Sequence, residues 1–158
     1  MPYFSYSLSF QNHGAYPSET TSGTAYINNN AHYSEATYNI LNNYLEGIYD
    51  TTERIYAFVD QFRDLDEPVV IVLFGDHMPW LGDNGYIYDE LGINTDLSSE
   101  EGFYNYYSTP YVIWANEAAK ETADSDFTGQ GDSISACFLM EQLFELCGCC
   151  LLYTSRCV

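Results

Sequence analysis

Apolar residues fall along this chain in two rhythms. Leu41, Tyr44, Leu45, Ile48, Ile55, Val59 and Phe62 recur at intervals of three, four and seven, which puts them on one face of a helix. The pattern predicts a long helix from about residue 34 to residue 64. Ser34 stands where an N-cap is wanted, and Gly47 inside the stripe weakens the helix modestly. "DLDEP" ends it, because Pro68 cannot continue a helix and biases Glu67 toward an extended form. The rhythm then changes. "VVIVLF", residues 69–74, is an unbroken, largely β-branched run, as expected of a strand buried on both faces in a parallel sheet covered by helices. "YFSYSLSF", residues 3–10, alternates in part and reads as a strand, as does "TPYVIWA", residues 109–115. "ISACFLMEQLFELCG", residues 134–148, reads as a second amphipathic helix closed by Gly148. Strand, helix, strand, long loop, strand, helix predicts an α/β fold with a mostly parallel sheet flanked by helices. Residues 3–10 and 69–74 would be parallel strands in that sheet.

Two segments stay outside these patterns. Residues 18–32, rich in Ser, Thr, Asn and Gly, read as a surface loop. Residues 78–107 are polar and aromatic, too long for an idle connection in a compact domain. Hydrophobic content of 46% excludes a disordered chain. Length suits one domain. The charge narrows the partners: 23 Asp and Glu oppose 4 Lys and Arg, a formal −19. Such a surface repels nucleic acid, and Arg54, Arg63, Lys120 and Arg156 form no basic patch. Tyr is abundant at 16, more often a core filler than a ligand wall. Of five Cys, four lie at or beyond position 147. An odd, clustered set is no disulfide framework, and "CGCC" lacks the second pair of a structural zinc site. No apolar run is long enough to span a membrane, and no signal peptide is visible. "CCLLYTSRCV", residues 149–158, continues no element and reads as a tail of foreign or uncertain origin.

The chemistry gathers where strands end. Ligands of open α/β sheets bind beyond the carboxyl ends of the strands. "QNHG" follows the first strand with His13, and "GDHMP" follows the buried run with Asp76 and His77. In parallel strands these three residues would meet at one edge. A carboxylate oxygen beside an imidazole nitrogen suits Zn²⁺ or Mn²⁺ better than Ca²⁺. Neighbours on a strand face opposite ways, so both reach one ion only if the chain turns, which Gly75 permits. A plain turn in which Asp76 bonds nearby amides stands level with the metal reading. His32 reads as an exposed loop histidine, and Asp83, Asp89 and Glu90 as a solvated loop. Trp80 and Tyr86 read equally as packing or as an aromatic wall for a headgroup. Thr20, Thr21 and Thr24 read as loop residues.

"FQNHGAY", "VVIVLFGDHMPWLGDN" and "YYSTPYVIWAN" together resemble the lipoteichoic acid synthase and phosphoglycerol transferase group. These are sulfatase-like members of the alkaline phosphatase superfamily, and the resemblance covers roughly residues 3–147. It implies that residues 1–148 are the carboxyl-terminal part of a sulfatase-like catalytic domain. Asp76 and His77 would be metal ligands, for Mn²⁺ or Zn²⁺, and His13 would contact the phosphate-bearing substrate. The implied reaction moves a phosphoglycerol or related headgroup from a lipid-linked phosphodiester through a phospho-threonine intermediate, on the outer face of a bacterial membrane. The family's threonine nucleophile, a metal-binding glutamate and its membrane helices lie upstream of the histidine motif. The resemblance therefore implies an incomplete domain, inactive alone, reaching the membrane only through such preceding helices. Other readings stay open: a sulfatase or phosphodiesterase of the same superfamily, or a non-catalytic acidic domain that binds metal. Oligomeric state is not legible.

Overall fold

The computed structural model describes residues 3–28 and 32–149. The tail from residue 150 onward lies outside them. The chain divides into two compact units, Met1–Ile55 with Asp76–Thr109 and Tyr56–Gly75 with Pro110–Val158.

In the first unit, helix α1 begins; its full range is Glu35–Asp60. Ser34 caps it as expected, its Oγ accepting the Thr37 amide at 3.1 Å. Ile40 and Leu41 pack with Leu81, Ile87 and Tyr88 to form the core. The same helix buries polar residues that the apolar stripe does not reveal. Asn42 Oδ1 accepts the amides of Tyr26 and Ile27. Asn39 donates to the Ser18 carbonyl, and Asn43 to those of Pro17 and Thr20. The irregular loop thus satisfies its backbone on a row of asparagines instead of a ladder. The long segment after residue 78 is not one loop. It holds a 3₁₀ turn, Asp83–Gly85, then α2, Tyr86–Glu90, and α3, Glu100–Tyr107. Ser99 caps α3 by accepting the Gly102 amide at 3.0 Å.

The second unit holds β1, Val70–Phe74, and β2, Tyr111–Ala115. They pair antiparallel, with Val70 opposite Ala115 and Phe74 opposite Tyr111. Helix α4, Glu117–Ala123, follows at once, and α5, Leu139–Leu146, follows a 3₁₀ turn at Ala136–Phe138. Buried Asn116 is the knot of this unit. Its Nδ2 donates to the carbonyls of Phe62, Leu65 and Glu67 at 3.2, 3.2 and 2.8 Å. Its Oδ1 accepts the amides of Val69 and Ala119, both at 3.0 Å. One side chain thereby fixes the end of α1, the start of β1 and the cap of α4.

Three expectations change. The sheet among the described residues has two strands and is antiparallel rather than mostly parallel. A continuous apolar run reports burial and carries no strand direction, so "VVIVLF" serves either. Burial on both faces is not seen either, since Val70–Leu73 are half-buried and Phe74 is exposed. Residues 3–10 form no ladder with any described segment, and Tyr3, Phe4, Tyr6, Leu8 and Phe10 are all exposed. β-propensity becomes a strand only where a partner supplies hydrogen bonds. His13 and Asp76 therefore do not share an edge of parallel strands. No helix of the described residues is long and apolar enough to cross a membrane.

Candidate active site

His13, Asp76 and His77 all belong to the first unit. His13 rides on a tight turn, its amide donating to the Phe10 carbonyl at 3.2 Å. The anchor is the residue before it. Asn12 takes a left-handed φ of 58°, a conformation that Asn tolerates better than most residues. Its Nδ2 donates to the Tyr44 carbonyl of α1 at 3.3 Å, and its own carbonyl accepts the Tyr16 hydroxyl at 2.7 Å. Gln11 adds a bond to Asp50 at 2.7 Å. Gly47 makes room, because a β-carbon there would overlap the Asn12 amide group. The weak point in the helical stripe is a notch for the site. Gly47→Ala is expected to leave overall stability within about 1 kcal/mol, helix propensity offsetting the displaced Asn12. It should still unseat the His13 turn. The check is His13 imidazole NMR shifts, which should move while the melting midpoint holds.

Asp76 and His77 turn the chain by themselves. Asp76 Oδ1 accepts the His77 amide at 3.0 Å, so the carboxylate bends the backbone after β1. Gly75 is not among the residues of positive φ, so the turn does not use its left-handed freedom. The turn reading of "GDH" is thus what the hydrogen bonds show, and the same bond leaves the two side chains close to each other. Asp76 Oδ2 lies 3.6 Å from His77 Nε2. The His77 ring stands edge-on to that of His13, with centroids 6.0 Å apart.

The protonation pattern follows from the backbone. His77 Nδ1 lies 2.8 Å from the Met78 carbonyl, and His13 Nδ1 lies 2.8 Å from that of Gly14. A carbonyl only accepts, so each Nδ1 carries a hydrogen and each neutral ring presents a bare lone pair at Nε2. His77 Nε2 then faces a carboxylate, acceptor against acceptor. A proton or a cation between them turns that repulsion into attraction. The pair would offer a divalent ion two donors of suitable type, a carboxylate oxygen and an imidazole nitrogen whose ring is held through Nδ1 by a carbonyl. Among the described residues no group of three His, Cys, Asp or Glu converges, so the pair supplies two donors.

The other candidates separate. Asp83, Asp89 and Glu90 are exposed. Tyr86 is engaged elsewhere, its hydroxyl accepting from buried Thr37 at 3.2 Å, while Trp80 is exposed. Trp80 shares a strip of backbone with the site, its carbonyl lying beside Gly14. Tyr88 donates to the Pro79 carbonyl. Burial, then the neighbouring Tyr44 and Tyr16, pushes its hydroxyl up to about 12. Asn12 and Gln11 were not singled out by the sequence. The flanking "QN" before the histidine was their only trace.

A model of the family described as Sulfatase matches residues 1–148. The chain belongs to the sulfatase family. That membership implies an α/β fold of the alkaline phosphatase kind, and members of the family are generally metal-dependent. The sulfatase-family chain is also similar to a "Putative cyclic beta-1,2-glucan modification protein" of Rhizobium meliloti (strain 1021). The two are 26% identical over 152 residues, 93% of this chain and 22% of that protein. The chain thus spans about a fifth of the length of that relative. No solved structure matches the chain significantly.

Proposed function

We propose that this chain carries one side of a metal-dependent phosphoryl-transfer site of the lipoteichoic acid synthase and phosphoglycerol transferase type. Its substrate class is a phosphodiester headgroup, lipid-linked, at the outer face of a bacterial membrane. The relative's name adds a glucan hydroxyl as an acceptor class. The observation that carries the reading is the opposed pair of acceptors, Asp76 Oδ2 and His77 Nε2, 3.6 Å apart with the ring tautomer fixed. Asp76 and His77 would hold Mn²⁺ or Zn²⁺. When bound, the ion supplies Lewis-acid charge at the phosphoryl oxygens. His13 takes or gives a proton at Nε2, the nitrogen that its backbone bond leaves open. The formal −19 of the chain works against an anionic substrate, so local positive charge at this site is needed to hold it.

Calorimetric titration with Mn²⁺ at high ionic strength tests this, since salt screens diffuse binding to the acidic surface. One weak saturable site is expected in the wild type and none in Asp76→Ala. Identical titrations for the two proteins would remove the metal from the reading.

A further inference from the structure

Behind the candidate active site lies a cavity of about 770 Å³, wholly within the first unit. Leu41 and Leu45 of α1 form one wall. Met78 and Pro79, the two residues after His77, form another, and Tyr88 and Ile93 contribute to a third. The Tyr88 hydroxyl is spent on the Pro79 carbonyl, so its ring has no free donor to offer a ligand. Arg54 of the same unit is not in the lining, whose polar groups come from Asn28, His32, Tyr33, Tyr44 and Asn105. The volume is that of a small-molecule site, and the lining is mostly apolar. The wall and the site share atoms: the Met78 carbonyl that fixes the His77 tautomer belongs to a residue lining the cavity.

We propose that this cavity binds the aliphatic chain of an amphiphilic phosphodiester whose phosphate lies at His77. The proposal rests on the phosphodiester reading above for the position of the headgroup. Chemistry selects the occupant. No Lys or Arg among the described residues lines the cavity, while apolar walls reward each methylene withdrawn from water. A charged group gains nothing from these walls and stays outside them at His77, the residue before Met78, where a proton on Nε2 or a bound divalent ion would hold it.

The test is a binding series on the folded chain with p-nitrophenyl methyl, butyl and octyl phosphates, read by calorimetry below micelle formation and without metal. Affinity is expected to rise by at least about tenfold at each step of chain length. Leu45→Trp and Ile93→Trp fill the space from different sides, and either should flatten the series. In the wild type, 1-octanol should compete with the octyl ester and not with the methyl ester. Asp76→Ala should keep the chain-length dependence, so failure of the metal reading and failure of the cavity reading are told apart. A flat series in the wild type would overturn the proposal. So would a dependence that survives both wall variants, or octanol that does not compete.

Discussion

His77→Ala and Asp76→Ala are each expected to lower Mn²⁺-dependent phosphodiester turnover by roughly 10²-fold or more in a longer polypeptide that carries this chain. The two side chains act as a pair, so the double variant should cost little beyond either single one. His13→Ala should behave differently. His13 has no carboxylate beside its Nε2 among its described contacts, and its ring meets that of His77 at a right angle, centroids 6.0 Å apart. Its loss is expected to lower kcat while leaving the calorimetric Mn²⁺ affinity within about threefold, as suits a group that moves a proton rather than holding the ion. Turnover that is indifferent to Asp76→Ala and His77→Ala would show that this pair is only a turn.

Asn116→Ala should cost about 3 kcal/mol or more of stability. Five bonds converge on one amide, and that amide is buried. Truncation takes a partner from three carbonyls and from the Val69 amide, while the Ala119 amide keeps the Asn116 carbonyl; each group left stranded away from water costs about 1–3 kcal/mol. The measurement is the urea midpoint at constant slope. Asn116→Asp keeps the shape and removes two donors, facing an acceptor toward the carbonyls of Phe62, Leu65 and Glu67. It should be at least as damaging at neutral pH and recover part of the loss in acid, where the carboxyl regains one hydrogen. A midpoint unchanged in Asn116→Ala would mean that water or a local shift replaces the knot.

The long helix was legible because seven apolar residues repeat over six turns, and because Ser34 and Pro68 punctuate it. Its observed range, Glu35–Asp60, stops short of residue 64, since the chain there tightens into i→i−3 turns. The strands at Val70–Phe74 and Tyr111–Ala115 were legible as apolar runs, whereas their direction was not. Helices α2, α3 and α4 escaped because none has more than eight residues, too short for a period to declare itself. Their signals are caps: Ser99 before α3 and Asn116 before α4. Asp76 and His77 do follow a strand, as read, whereas His13 was read beyond a strand that residues 3–10 do not form. The asparagines that carry the loop and the His13 turn were not legible, because a buried Asn and a solvated Asn look alike in a sequence.

The backbone bonds at both histidine rings also set how the pair can work over time. Each ring is steered by a peptide carbonyl through Nδ1, so a proton arriving at or leaving Nε2 breaks no orienting contact. The imidazoles therefore keep their aim through a full protonation cycle. The steering groups are main-chain atoms of Gly14 and Met78, so no side-chain substitution deletes them outright. Substitutions that leave the two turns in place can redraw the surroundings of His13 and His77, for a new headgroup or acceptor, while the carbonyl that aims each ring stays in the main chain.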